Sequence, residues 1–149
     1  MPDDHHLITD GATIAYQLSG PPNTVPVGYG HGVLMSRQIV RGLGIFDIDA
    51  IADRRRLITY DQRGHGASRG RPKPEDYRFE QAADDLLRVL DAAGLDEPID
   101  FAGSSLGAGC GTARRPQRSS PLQAAGVGDP SRRLGNWPPS TAPVVLRHR

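Results

Sequence analysis

The sequence has very little cysteine, no long apolar run and almost no net charge, and each shortage excludes a class of protein. Cys110 is the single cysteine, so a disulfide within the chain is impossible and a reducing compartment, the cytoplasm, is the expected location. No apolar stretch approaches the length of a signal-peptide core or a membrane span, so we expect no membrane partner. The net charge of +1 gives no electrostatic reason to expect a nucleic-acid partner.

Apolar residues and metal-ligand spacings are also sparse. Hydrophobic residues make up 37% of the 149 residues, whereas 18 glycines and 13 prolines predict many turns or an irregular segment. His5 and His6 have no third ligand at a spacing that metal sites use, so we expect no metal. Cys110 is interpreted as a small helix residue and not as a nucleophile.

Strand and helix signals alternate along the first two thirds of the chain. Residues 7–18 predict a hairpin that turns at Asp10-Gly11. Three short apolar runs then predict buried strands: residues 25–30, 56–60 and 98–102. Two helices are predicted between them: residues 36–53, interrupted by Gly42 and Gly44, and residues 79–93, ended by Gly94. This order predicts an α/β fold, with an N-terminal hairpin, parallel strands and flanking helices.

The helix over residues 79–93 has the clearest period. Its apolar positions recur at helical spacing: Phe79, Ala82, Ala83, Leu86, Leu87 and Leu90. Its other face is predicted to be polar and solvated: Glu80, Gln81, Asp84, Asp85, Arg88 and Asp91.

The candidate catalytic residue lies in Gly103-Ser-Ser-Leu-Gly107, directly after the last predicted strand. In a Gly-x-Ser-x-Gly frame the nucleophile is Ser105, because a serine on a tight strand-to-helix turn brings its neighbours at −2 and +2 together and only small residues fit. A frame on Ser104 places Leu106 at +2, where it would crowd the turn. The backbone N–H of Leu106, at the start of the following helix, is positioned to stabilise an oxyanion.

Two other interpretations use the same residues. Gly-Ser-Ser-Leu-Gly also occurs as a plain Gly/Ser loop. Gly103, Gly107 and Gly109 also fit a phosphate-cradling turn of nicotinamide-dependent dehydrogenases. That turn should precede a long helix, a further strand and an acidic residue, whereas only a short stretch broken by proline follows.

Three linked motifs resemble the α/β-hydrolase family, and most closely its small serine esterases, lactonases and perhydrolases. They are Tyr29-Gly-His-Gly-Val-Leu-Met-Ser36, Leu57-Ile-Thr-Tyr-Asp-Gln-Arg-Gly-His-Gly-Ala-Ser68 and Phe101-Ala-Gly-Ser-Ser-Leu-Gly107. The resemblance covers residues 7–113 and implies an incomplete α/β-hydrolase sheet. It implies a small-molecule, ester-like substrate and no metal or organic cofactor.

The resemblance also implies roles for individual residues. By this resemblance, Val33 and Leu106 supply the two oxyanion N–H groups, and His31 with Gly32 holds the loop that contains Val33. Asp61 and His65 shape the floor of the site. The serine at position 105 argues against the haloalkane dehalogenase and epoxide hydrolase branches, which have an aspartate there.

The pattern ends near residue 113, so we divide the chain into a partial hydrolase domain, residues 1–113, and a tail, residues 114–149. The tail is rich in Arg, Pro and Gly, has no sustained period and is expected to be irregular and disordered. The family places its catalytic acid and histidine after the serine, and in the tail only Asp129 and His148 follow that order. We therefore expect a truncated hydrolase with weak or no activity, for which a frame disruption near residue 113 is one hypothesis.

Two further expectations follow from this division. Without later strands, the strand before Ser105 should form an edge of the sheet. A non-catalytic remnant or binding protein of the same fold is the alternative function. The sequence gives no indication of the oligomeric state.

Overall fold

In a computed structural model, the structure describes residues 4–111, 122–123 and 144–148. The strands are β1 (His5–Thr9), β2 (Ala12–Ser19), β3 (Val27–Gly30), β4 (Leu57–Tyr60), β5 (Arg69–Gly70), β6 (Asp100–Gly103), β7 (Leu122–Gln123) and β8 (Val144–His148). The helices are α1 (Arg37–Leu43), α2 (Ile48–Ala52), α3 (Phe79–Ala92) and α4 (Leu106–Cys110), with a 3-10 turn at Pro74–Tyr77. Within these residues we find no helix with the length and apolar character that crossing a membrane requires.

The strands form one sheet in the order β1-β2-β4-β3-β6-β8-β7, with β5 beside β2. The strands at the centre, β4, β3 and β6, run parallel, and β1 and β2 form the antiparallel hairpin. Two buried clusters pack on the sheet. One includes Leu86 and Val89 of α3, and the other includes Val40 of α1 and Ile48 of α2. The predicted α/β fold is therefore confirmed, with helices on both faces of a mainly parallel centre.

The hairpin and the helix ends follow the predicted turn residues. Gly11 and Gly94 both have positive φ, at 72° and 66°, as the turn and the helix end require. The interruption predicted within residues 36–53 occurs at Gly44, which adopts a left-handed conformation and ends α1, so this stretch forms two short helices; Gly42 lies inside α1 and does not break it. Asp47 then caps α2 by accepting from the N–H of Ala50.

Two residues of α3 differ from their predicted faces: Phe79 is 49% exposed, and Asp85 is buried. Asp85, predicted to be solvated, is 2% exposed and forms a bidentate ion pair with buried Arg63, through contacts of 2.9 and 2.8 Å. Its neighbour Asp84 is solvated as predicted and pairs with Arg88 one turn further along the helix. Helical period alone assigns Asp85 to the polar face, because the pattern contains no information about a charged partner on another element.

The expectation that β6 forms an edge of the sheet is also wrong. β8 pairs antiparallel with β6, with Ala102 opposite Val145, and β7 pairs with β8. The rest of the predicted tail, including Asp129, lies outside the described residues, so its expected irregularity stays a prediction.

Candidate active site

Ser105 occupies the turn between β6 and α4, as the motif predicts. It precedes the first helical residue and has φ 49° and ψ −116°. Positive φ is costly for a residue with a side chain, and such strain concentrates at functional sites. The side chain of Ser105 is exposed, and within residues 4–111 its hydroxyl makes no hydrogen bond. An unengaged hydroxyl is thus raised from the surface on a strained turn.

The glycines on either side of this serine are required by close backbone contacts. A Cβ at Gly103 would lie 2.5 Å from the nitrogen of Ala108, and a Cβ at Gly107 would lie 2.0 Å from the carbonyl oxygen of Gly30. Both distances are far below van der Waals contact, so only glycine fits at −2 and +2. This is the steric reason for the Gly-x-Ser-x-Gly spacing.

Ser104, the other serine of the motif, is already engaged. Its hydroxyl lies 3.3 Å from the hydroxyl of buried Tyr29, whose ring stacks on Phe46. Its backbone N–H donates to the carbonyl of Gly30. Ser104 therefore fixes the turn to β3, and Ser105 is the serine that remains available.

The loop after β3 reaches the same turn. A Cβ at Gly32 would lie 3.4 Å from the Cβ of Ser105, so a side chain there would contact the serine. The next residue is Val33, and Leu106 follows Ser105 directly. Within residues 4–111 no group accepts a hydrogen bond from the backbone N–H of Val33 or of Leu106. The structure thus places Gly32, which precedes Val33, beside Ser105, which precedes Leu106, and neither of the two N–H groups forms a hydrogen bond in this range.

His31 is buried and holds the loop by its ring. Nδ1 lies 2.8 Å from the carbonyl oxygen of Gly32, and Nε2 accepts from the backbone N–H of Gln62 at 2.9 Å. A carbonyl only accepts and an N–H only donates, so the ring is neutral and carries its proton on Nδ1. Because both nitrogens are occupied, His31 has no free atom with which to take a proton from Ser105.

This arrangement predicts a pH dependence of stability. Burial lowers the pKa of His31 below 6.5, although the Gly32 carbonyl and the Asp61 carboxylate act in the opposite direction. The unfolded chain therefore takes up this proton at a higher pH than the folded chain. The contribution is complete above about pH 6.5, and the free energy of unfolding is expected to fall as the pH decreases below that value, down to the folded pKa.

Urea midpoints between about pH 5 and about pH 8 measure this effect. His31→Asn cannot take up the proton and should lose this part of the slope, whereas exposed His6→Asn should keep it. Equal slopes for the wild type and His31→Asn would contradict the prediction.

Asp61 and His65, predicted to shape the floor, are held by neighbouring groups. The carboxylate of Asp61 is buried and accepts from the backbone N–H and the guanidinium of Arg37, at 2.8 and 3.1 Å, and from the N–H of Ala67 at 3.0 Å. The ring of His65 lies 5.4 Å from that of His31, and its Nδ1 contacts the carbonyl of Arg63 at 2.9 Å. These contacts fit a supporting role beneath the loop.

The Cys110 thiol is buried. Burial and the Asp85 carboxylate raise the pKa of the Cys110 thiol to about 12, so the thiol stays protonated. Among the described residues, no group of three His, Cys, Asp or Glu side chains is placed to hold a metal ion.

The first motif contacts both of the others, because His31 binds Gln62 and Gly32 lies beside Ser105. All three motifs lie within the residues that match a family model. Residues 29–118 match the family with the α/β-hydrolase fold, which is more than half of the chain. The chain belongs to the α/β-hydrolase family. The resemblance drawn from the motifs is therefore confirmed, as is the coverage of the N-terminal part.

Similar proteins include hydrolases of different substrates. The chain is 29% identical to 3-oxoadipate enol-lactonase 1 of Acinetobacter baylyi over 97 residues, which cover 65% of this chain and 34% of that protein. It is 34% identical to proline iminopeptidase PfmaB of Pestalotiopsis fici over 105 residues, covering 66% and 34%. A crystal structure of a hydrolase from Pseudomonas aeruginosa superposes with a TM-score of 0.64 and 29% identity, covering 74% of this chain and 39% of that one. The chain thus spans about a third of the length of the curated relatives that it matches.

Sequence reasoning missed several residues of this site. Gln62 binds His31 twice, Tyr29 binds Ser104, and Arg37 joins Asp61 to Asp4. Tyr29 and Gln62 lie inside the first and second motifs, and Arg37 directly follows the first, but the motifs assign no role to these three residues.

Proposed function

We propose that this α/β-hydrolase-family chain is a serine hydrolase that acts on an ester or a related acyl bond of a small molecule. Ser105 attacks the acyl carbon, and the N–H groups of Val33 and Leu106 stabilise the oxyanion that forms. The observation that carries the proposal is the exposed hydroxyl of Ser105, unengaged within residues 4–111, on a left-handed turn. Cytoplasmic location remains part of the proposal and rests on the single cysteine.

The names of the relatives support this reaction class. One is an enol-lactonase and the other is an iminopeptidase, and both names describe the opening of an acyl bond. Attack by an activated serine followed by hydrolysis of an acyl-enzyme serves both ester and amide substrates. The proposal names the bond and leaves the rest of the substrate open.

We further propose that the activity of this chain is weak. His31 is engaged through both ring nitrogens, and His65, whose Nδ1 contacts the carbonyl of Arg63, forms no hydrogen bond with Ser105 within residues 4–111. A serine without a base is a poor nucleophile, and an oxyanion hole alone retains only a residual rate enhancement. The same observation favours the second candidate function, a non-catalytic remnant of the fold.

Hydrolysis of p-nitrophenyl acetate separates the two candidates. We expect a slow release of nitrophenol by the wild type and by Ser104→Ala, and a decrease to the buffer rate in Ser105→Ala. A wild-type rate equal to the buffer rate would favour the remnant. Equal rates in Ser105→Ala and the wild type would remove Ser105 from the reaction.

A further inference from the structure

Gln62 contacts the loop beside Ser105 with both its backbone and its side chain. It follows β4, is 3% exposed, and donates its backbone N–H to Nε2 of His31 at 2.9 Å. Its side-chain Nε2 donates to the backbone carbonyl oxygen of His31. One residue therefore fixes both the ring and the main chain of His31.

The orientation of the Gln62 amide follows from these contacts. Its Oε1 atom is buried and has no hydrogen-bond partner among the described residues. The reverse orientation would place Oε1 against the carbonyl oxygen of His31, where two acceptors would face each other. The donor is therefore directed at His31 even though the acceptor is left unpaired, an arrangement that costs free energy and needs a compensating role.

Peptide geometry connects Gln62 to the candidate oxyanion donor. The carbonyl of Gly32 and the N–H of Val33 belong to one planar trans peptide, so they point in opposite directions. That carbonyl accepts from Nδ1 of His31 and from the N–H of Met35, at 2.8 and 3.2 Å. The ring that holds the carbonyl end accepts the backbone N–H of Gln62, and the Gln62 side chain donates to the carbonyl of His31, one peptide earlier. The side chain of Gln62 therefore fixes the peptide that precedes Gly32, and with it the start of the loop that leads to the N–H of Val33.

We propose that Gln62 is a positioning residue, which holds the His31–Gly32–Val33 backbone so that the N–H of Val33 faces the oxyanion formed at Ser105. This inference rests on the proposed serine-hydrolase function. Gln62 itself does not touch the substrate and acts through His31.

The test measures how a fluorophosphonate reacts with Ser105 in the full chain, as a maximal rate (kinact) and a half-saturating concentration (KI). Gln62→Met keeps the length of the side chain but removes the donor. We expect kinact to fall on the order of tenfold, because the phosphonylation transition state uses the oxyanion donors, and KI to stay within about twofold. Gln81→Met, on α3, is the matched control and should react like the wild type.

Gln62→Glu provides a second, independent test, which can still be made if Gln62→Met does not fold. The ionised carboxylate of this variant has no proton to donate to His31. The variant should therefore react with the fluorophosphonate as slowly as Gln62→Met does. When the pH is lowered and the carboxyl is protonated, it can donate to His31 and the ratio to the wild type should recover. Gln81→Glu should show no such recovery.

The outcomes separate the two proposals. A wild type that does not react at all would overturn the serine-hydrolase proposal together with this inference. A reactive wild type with an equal kinact in Gln62→Met, or with no acid recovery in Gln62→Glu, would overturn the role of Gln62 alone.

Discussion

Gly107→Ala is expected to lower the free energy of unfolding by more than about 3 kcal/mol. The new Cβ would lie 2.0 Å from the carbonyl oxygen and 2.2 Å from the carbonyl carbon of Gly30. These are backbone atoms of β3, so no side-chain rotation relieves the clash. The carbonyl of Gly30 also accepts the N–H of Ser104 at 3.0 Å, and separating the two elements would break that bond.

The control for this prediction is Gly42→Ala. Gly42 lies within α1, and a Cβ there would meet no atom within 4 Å. Alanine should stabilise the helix by about 0.5–1 kcal/mol, so the two substitutions should move the urea midpoint in opposite directions. A midpoint for Gly107→Ala equal to that of the wild type would show that β3 and α4 are not in contact as described.

Asp85→Ala is expected to lower the free energy of unfolding by about 3–5 kcal/mol. Arg63 and Asp85 have side-chain exposures of 4% and 3%, so the substitution leaves a buried guanidinium without its carboxylate. Among the residues that the structure describes, Nη1 of Arg63 has no hydrogen-bond partner, and Nη2 has a 3.5 Å contact with Thr9 besides Asp85. Within the described residues, no carboxylate other than Asp85 forms a hydrogen bond with Arg63.

Two variants separate burial of the charge from loss of a contact. Asp84→Ala removes the exposed pair with Arg88 and should cost no more than about 0.5 kcal/mol. Replacing both partners together, as Arg63→Met with Asp85→Leu, should recover most of the loss, because no charge is then buried. Equal urea midpoints for Asp85→Ala and Asp84→Ala would contradict the account of this pair.

The elements that the sequence predicts well are those set by local sterics. The glycines around Ser105 encode a close approach of backbones, and the same spacing predicts the turn, the strand before it and the helix after it. Gly11 and Gly94 likewise encode positive φ, and the structure shows it at both.

The features that the sequence does not predict are contacts between residues that are distant in the chain. Asp85 has the helical position of a solvated residue, and only Arg63, 22 residues away, explains its burial. Gln62 lies in a glycine-rich turn, and its contact with His31 spans 31 residues. The strand β8 pairs with β6 across about 40 residues of sequence, and its short apolar run does not indicate that partner. Local period and turn chemistry contain no information about such pairs.

The proposed function depends on the hydroxyl of Ser105 being the nucleophile. A mass measurement that locates the modified residue can show whether it is. The full chain is incubated with a fluorophosphonate, and the modified peptide is sequenced by mass spectrometry. We expect one phosphonyl group per chain, on Ser105. The group should be retained in Ser104→Ala and absent from Ser105→Ala. A group on Ser104 or elsewhere, or an unmodified chain that is folded by circular dichroism, would contradict it.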